Sequence, residues 1–337
     1  STQLLYNRYG RKISNCLELA NSLTRNQQVR EVLNSGSLIT GNDPDNMPSN
    51  LFNLAFGGAY GNNRPFYPEG GSDRLPELLA EVITENGGGI VFNASPRSII
   101  TDKEKALGVS LDGRDIFADN IISSTGIGHT VHSLVGKENF PQGFLTSVGY
   151  YKEGFPMASL FVVLKGGVTL IDGARLYAKL PKNSSALFRV LKDGKFPEKG
   201  AYTFTCSGRP NSGNEGELTG VVRFLVPKGQ PGSTVEKADI ENEAGKAVRE
   251  LESLVPGLSA DIVRAKLLTP WDFAEQFGFL SVYTPVADSV NYPKHATELP
   301  LAGLYCVGST VQPAGSCAVS SMFSGRDCAK AIIKKGV

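Results

Sequence analysis

Hydrophobic positions recur with a helical period early in the chain and later switch to alternation. Leu17, Leu23, Val29 and Leu33 stand among polar neighbours, a spacing that predicts a helix over 14–34. The stretch from Gly36 to Pro68, rich in Gly, Asn and Pro, reads as irregular. Leu75, Leu78, Leu79, Val82 and Ile83 then form one apolar stripe at helical spacing. Pro76 is tolerated in the first turn of that helix, and Gly87-Gly88-Gly89 stops it.

Past those glycines the period becomes two. Ile90-Val91-Phe92 and Ser98-Ile99-Ile100 read as short strands. Leu107 to Leu111 and Asp115 to Ala118 flank Asp112-Gly113, a turn pair that predicts a hairpin. Asn120 to Ser124 is a further strand, and Ser159 to Leu164 and Gly220 to Val226 are β-like runs of the middle. Ser233-x-x-Glu236 has the form of a capping box, opening a helix that runs to about Leu254. Leu304 to Gly308 reads as a buried strand, followed by a turn of small residues and a helix from Ala318 to Lys334. Lys334 and Lys335 complement the dipole of that last helix.

Composition narrows the class. A chain of 337 residues has room for about two domains. Its 34 basic and 33 acidic side chains leave a net charge of +1, which excludes a nucleic-acid scaffold built on clustered Lys and Arg. The best apolar run, Ala158 to Leu164, has the length of a strand and falls far short of the ~20 residues that cross a bilayer. No signal peptide is evident, and Ser1 rather than Met opens the chain, as in a processed or truncated sequence. Cys16, Cys206, Cys306, Cys317 and Cys328 are odd in number and widely spaced, so they read as reduced, buried thiols of a protein inside the cell or an organelle.

Little in the sequence carries chemistry of its own. His129 and His132 could share a helix face, as a polar face or as two thirds of a metal site whose third ligand is not evident. Trp271, Phe273, Phe277 and Phe279 are either core or the aromatic wall of a tunnel for a conjugated ligand.

Three ordered matches carry a resemblance. They are Phe66-Tyr67-Pro68-Glu69-Gly70-Gly71-Ser72 with its following helix, then Gly113 to Ser124, then Leu304-Tyr305-Cys306-Val307-Gly308 with Pro313 and Phe323-Ser324-Gly325. Together they resemble the phytoene desaturase and carotenoid isomerase flavoproteins. The resemblance implies an α/β fold. In it an incomplete Rossmann-like FAD domain is built from separated segments, 66–135 and 299–337, and an α+β substrate or lid domain is built from 1–65 and 136–298. It implies FAD as the cofactor doing the electron chemistry, and a carotenoid or other polyene as the substrate. The cofactor-binding positions it implies are Gly70, Gly71, Pro96, Gly308, Ser309, Pro313 and Ala314. The loop Tyr67 to Gly71 is either a functional loop near the flavin or a turn that aims the next helix. In a photosynthetic eukaryote the resemblance points to a plastid, peripheral to a membrane surface or membrane protein complex, and otherwise to the cytoplasm.

The sequence also departs from that pattern. The family opens with a strand, a G-x-G-x-x-G turn and a helix, and no such motif precedes the matched segments. Gly126-Ile127-Gly128 follows a strand, but Val131 stands at the third glycine position, so it reads as a loop. Pro96 falls where the family's adenine-binding residue offers a backbone N–H, which proline lacks. Ser309 replaces an acidic residue, and Ala314 a glycine. Two functions follow as expectations. One is a flavin-dependent isomerase or desaturase needing a further segment. The other is a flavin-less pseudoenzyme serving as a binding or structural subunit.

Overall fold

A computed structural model describes residues 15–47, 49, 72–102, 104–149, 154–165, 168, 170, 176–208, 217–228, 235–277, 295–312 and 318–336. The chain divides into two compact units, one of residues 1–82 and 154–284, the other of 83–153 and 285–337.

The first unit opens with two helices, α1 (Cys16–Leu23) and α2 (Gln27–Thr40), where the apolar spacing predicts one. Asn26 separates them. Its side chain accepts from the Val29 N–H at 3.2 Å, and Arg30 Nε donates to the Thr24 carbonyl at 2.8 Å. A side chain that caps a new helix competes with continuation of the old one. Helix α2 also extends to Thr40, past the expected start of irregular chain at Gly36, and ends on Gly41 at φ +67°. Helix α3 (Arg74–Glu85) forms where the stripe predicts it, yet none of its residues is buried.

The centre of the first unit is a five-stranded antiparallel sheet in the order β6-β7-β8-β5-β9. Its strands are β5 (Met157–Leu164), β6 (Leu176–Lys179), β7 (Tyr202–Gly208), β8 (Leu218–Leu225) and β9 (Ile262–Leu268). The pleat sends Ala158, Val162, Tyr202, Phe204, Val222 and Phe224 to one face, where Ile240, Ala247 and Leu251 pack against them. Those three belong to α6 (Lys237–Leu251). Its capping box is Glu236 with Asp239, three residues later than Ser233-x-x-Glu236 suggests, and Ser233 lies outside the described residues. Gly220 admits the ring of Phe204, since a Cβ there would sit 2.4 Å from it. On the opposite face Met157 and Leu225 meet Leu38 of α2 and Leu187, Phe188 and Leu191. The latter three lie on α5 (Ser184–Lys192).

The second unit holds a three-stranded antiparallel sheet, β1 (Ser98–Thr101), β2 (Ala106–Leu111) and β3 (Arg114–Phe117). The β2–β3 hairpin turns at Asp112-Gly113 as the sequence predicts. Ile90-Val91-Phe92 is not a strand, because a strand needs a partner edge and none of the described strands pairs with it. Phe92 is 78% exposed.

Beside this sheet β4 (Ile121–Ser123) pairs in parallel with β10 (Leu304–Cys306), Ile122 standing opposite Tyr305. Val307 N–H extends the ladder to the Ser123 carbonyl at 2.8 Å. One face of the pair is buried with Ile127, Val131, Leu134 and Val135 of a helical segment, and with Val148 of α4 (Gln142–Gly149). The chain ends in α8 (Ala318–Lys334), with Cys328 buried. Among the described residues no helix is long and apolar enough to cross a membrane.

Candidate functional site

Parallel strands present their C-terminal ends as the usual ligand edge of an α/β sheet. At that edge of β4 and β10 the structure gathers hydroxyls. Ser123 Oγ lies 2.7 Å from Thr130 Oγ1 and 3.1 Å from Thr125 Oγ1. Thr310 Oγ1 accepts from the Ile127 N–H at 3.0 Å. Burial pushes the Cys306 thiol up to about 11, against the opposing pull of the Thr310 and Thr130 hydroxyls. Cys306 is therefore a neutral thiol at ordinary pH and neither a nucleophile nor a thiolate ligand.

Gly308 follows β10 at φ +105°, a conformation that side chains other than hydrogen resist. Its N–H donates to Ser324 Oγ at 2.7 Å, and Ser324 Oγ in turn donates to the Ser321 carbonyl. Among the described residues, the nearest atom that a Cβ at Gly308 would meet is the Ser124 carbonyl oxygen at 3.9 Å. No described residue crowds the backbone at this edge.

The Gly126-Ile127-Gly128 turn holds no phosphate cradle. The helix it opens spans Ile127–His129 before passing into a π-helical turn, Thr130–Val135, and its first N–H is taken by Thr310. His129 and His132 are both exposed, and among the described residues no three His, Cys, Asp or Glu side chains gather as a metal site.

A second site lies in the first unit. Between α2 and the sheet a cavity of about 180 Å³ is bounded by Val32, Ser35, Leu38, Met157, Leu176, Thr203, Arg223 and Leu225, among others. Further along the same sheet a shallower hollow of about 360 Å³ is lined by Phe161, Val163, Val221 and the stems of Arg264 and Lys266. The aromatic wall suggested by Trp271 does not assemble with Phe273. On α7 (Pro270–Phe277) Phe273 is buried, whereas Trp271 is 47% exposed. Two positions apart on a helix, they face different directions. Phe279 lies outside the described residues.

Of the expected cofactor positions, Gly308 and Ser309 stand at the strand edge. Pro96 is exposed in the segment leading into β1. Gly70, Gly71, Pro313 and Ala314 lie outside the described residues. The hydroxyl group of residues at 123, 125, 130 and 310 is absent from the sequence expectation. Its signal was the run Ser123-Ser124-Thr125 and the pair Ser309-Thr310, each placed directly after a strand. Arg223 gave no signal, since its neighbours in the sheet are distant in sequence.

Residues 13–333 match the family described as flavin containing amine oxidoreductase. The chain is 28% identical over 282 residues to the chloroplastic prolycopene isomerase of Arabidopsis thaliana, covering 78% of this chain and 44% of that protein. It is 25% identical over 265 residues to a lycopene-forming phytoene desaturase of Paracoccus sp., covering 74% of this chain and 51% of that protein. The chain thus spans about half the length of these relatives. An oxidoreductase structure from Methanosarcina mazei superposes with a TM-score of 0.66 at 17% identity, covering 97% of this chain and 70% of that one. That likeness is one of fold.

Proposed function

Because the chain belongs to the flavin-containing amine oxidoreductase family, we propose that it forms the substrate-binding and cofactor-bordering part of an FAD-dependent oxidoreductase or isomerase acting on a conjugated polyene. The observation that carries this reading is the parallel β4–β10 pair. It joins residues 121–123 to 304–306 and leaves an open, positive-φ glycine at its C-terminal edge. Among the described residues no atom lies nearer than 3.9 Å to the space a Cβ would fill at Gly308, which is compatible with close approach of a dinucleotide to the backbone there. Gly308 and Ser309 would border it. FAD, when bound, accepts and returns the electron pair that a polyene gives up or borrows.

The chain's own residues do the rest. The exposed Thr125 hydroxyl offers a neutral, polar contact that adds no charge beside the cofactor, and the buried Thr130 and Thr310 hydroxyls hold the turn behind it through Ser123, Gly126 and Ile127. The Cys306 thiol, kept neutral by burial, is not itself a competing nucleophile there. The hollow lined by Phe161, Val163 and Val221 offers an apolar surface for a hydrocarbon ligand.

The experiment supplies FAD to the purified protein and then a cis-configured or partly saturated carotenoid. Flavin absorption that survives desalting and a flavin-dependent change of the polyene spectrum are expected. A protein that retains no flavin under these conditions overturns the reading and leaves the flavin-less alternative.

A further inference from the structure

The five-stranded sheet ends on an edge that no described strand covers. Strand β9 is its outermost member on the β5 side and pairs with β5 alone. It is seven residues long, against four in β6 at the other edge. Val263, Arg264, Ala265 and Lys266 are all exposed, although successive side chains of a strand point to opposite faces. Both faces of β9 therefore meet solvent here, and among the described residues nothing pairs with its outer side. The backbone N–H and C=O groups on that side form a template for one further strand.

Side chains decide which strand fits. On one face stand Arg264 and Lys266, opposite Val163 and Phe161 of β5. Arg264 donates to Glu217 at 3.0 Å with one arm of its guanidinium, and its side chain is otherwise open to solvent. Lys266 is exposed and, among the described residues, joins no ion pair. Asp272, in the helix that follows, is held by the Thr269 N–H and hydroxyl at 2.6 and 2.7 Å. On the other face Val263 is 39% exposed, with Ala265 next to it in the pleat. A neighbouring strand that matches β9 thus carries an acidic residue at every second position and an apolar one between. A second copy of the chain does not match. Two β9 strands paired antiparallel about Ala265 would set Arg264 of each against Lys266 of the other, and like charges directly opposite repel.

We propose that the outer edge of β9 is a docking site for an extended segment of another polypeptide, one that alternates acidic and apolar residues and joins the sheet as a further strand. Backbone hydrogen bonds hold the segment, while Arg264 and Lys266 select it and turn away a second β9. This function stands apart from the flavin and polyene reading and needs neither ligand.

The probe is a disulfide-closed hairpin peptide whose outer strand reads Val-Glu-Val-Glu-Val, since a preformed strand loses little freedom on docking. Its counterpart carries Lys in place of both Glu residues. Fluorescence anisotropy with the full 337-residue chain is expected to show the acidic hairpin bound at least about tenfold more tightly than the basic one, as two cross-strand charge pairs change sign. The acidic hairpin with its outward amides N-methylated is expected to bind at least about tenfold more weakly than the unmethylated one, because those backbone bonds are lost. Amide exchange is expected to slow at outward-facing positions within 262–268 and to stay unchanged in β6. Arg264→Glu combined with Lys266→Glu is expected to invert the preference between the two hairpins.

Equal affinity for the two hairpins, binding of neither, or full affinity after methylation overturns the proposal without recourse to any variant. So does protection that falls outside 262–268, or a preference that survives the double substitution. Self-association of the unaltered chain through 262–268 overturns it as well, because the occupant would then be a second copy. Since no flavin takes part, hairpin docking without flavin retention would keep this site and remove the redox reading, and the reverse pattern would do the opposite.

Discussion

The two units answer the burial problem in opposite ways. In the sheet unit the face toward α6 is closed, with Phe204, Val222, Ile240 and Leu251 all at 0% exposure. The opposite face is covered in part as well, by Leu38 of α2 and by Leu187, Phe188 and Leu191 of α5, a coverage an antiparallel sheet does not require. The second unit is built around a parallel pair, a kind of sheet that is usually covered on both faces. Here Ile122 of β4 is 50% exposed, and α8 leaves Val319, Met322, Phe323 and Ile333 turned outward. Each unit has its own core, and the second also displays, on α8 and β4, apolar surface of the kind that a ligand or another polypeptide covers. The β4–β10 edge therefore sits on the unit with more exposed apolar side chains around its parallel pair, while the cavity between α2 and the sheet sits on the unit with the closed core.

The largest expected effect comes from cutting each unit at an equivalent ring. Phe204→Ala removes a fully buried side chain against which Gly220 is fitted, and should destabilise the sheet unit by about 3–5 kcal/mol in urea unfolding. Phe323→Ala, at a ring 44% exposed, should lie below about 1 kcal/mol. Equal losses would mean that the face carrying Phe323 is covered in solution, and the contrast would collapse.

Alkaline titration probes the second unit next. A thiol raised from 9.0 to about 11 in the folded chain ionises first in the unfolded chain. Its contribution is full below pH 9.0 and is lost as the pH rises through about 11. The difference amounts to about 2–3 kcal/mol over that window. Unfolding curves of Cys306→Ala should lack this part of the alkaline slope. A slope identical to that of the unaltered protein would show that the thiol is not buried as described.

Much of this architecture can be read without coordinates, and the failures share a cause. The Leu75-to-Ile83 stripe, the Asp112-Gly113 hairpin and the strand at Leu304 depend on residues near one another, so local pattern reveals them. Ile90-Val91-Phe92 has the composition of a strand, but pairing is decided by what lies alongside it, and composition cannot report that. The break at Asn26 depends on a side chain choosing the Val29 N–H over solvent, a choice that apolar spacing does not encode. Gly308 was visible as a strand-end glycine, whereas its hydroxyl neighbours come from segments far apart in the chain. Arg223 is the clearest case. As a single basic residue inside an apolar strand it has no motif, and only the register with Ser159 and Thr203 places it on the cavity face.

Two smaller effects separate an edge built for a ligand from one that is merely loose. Gly308→Ala imposes a φ of +105° on a residue with a Cβ and should cost about 1–2 kcal/mol of stability. If the edge borders a flavin, the same change should also weaken flavin retention by more than its stability loss explains; retention unchanged at equal stability would remove Gly308 from the site.

The smallest effect belongs to His295, whose ring lies 4.7 Å from that of Phe144 and whose Nε2 is 3.1 Å from Ser147 Oγ. Burial lowers its pKa below the ordinary 6.5, so the unfolded chain takes up the proton first. Stability of the second unit should accordingly be intact above pH 6.5 and fall as the pH drops toward the lower folded value. The ring is partly open to solvent, and screening should hold the loss below about 1 kcal/mol. Measured by amide exchange, the loss should fall on residues 83–153 and 295–312 and spare the β5–β8 pairing. Acid-induced exchange spread evenly over both units would mean that they unfold as one body, and the difference between them would be one of surface rather than of stability.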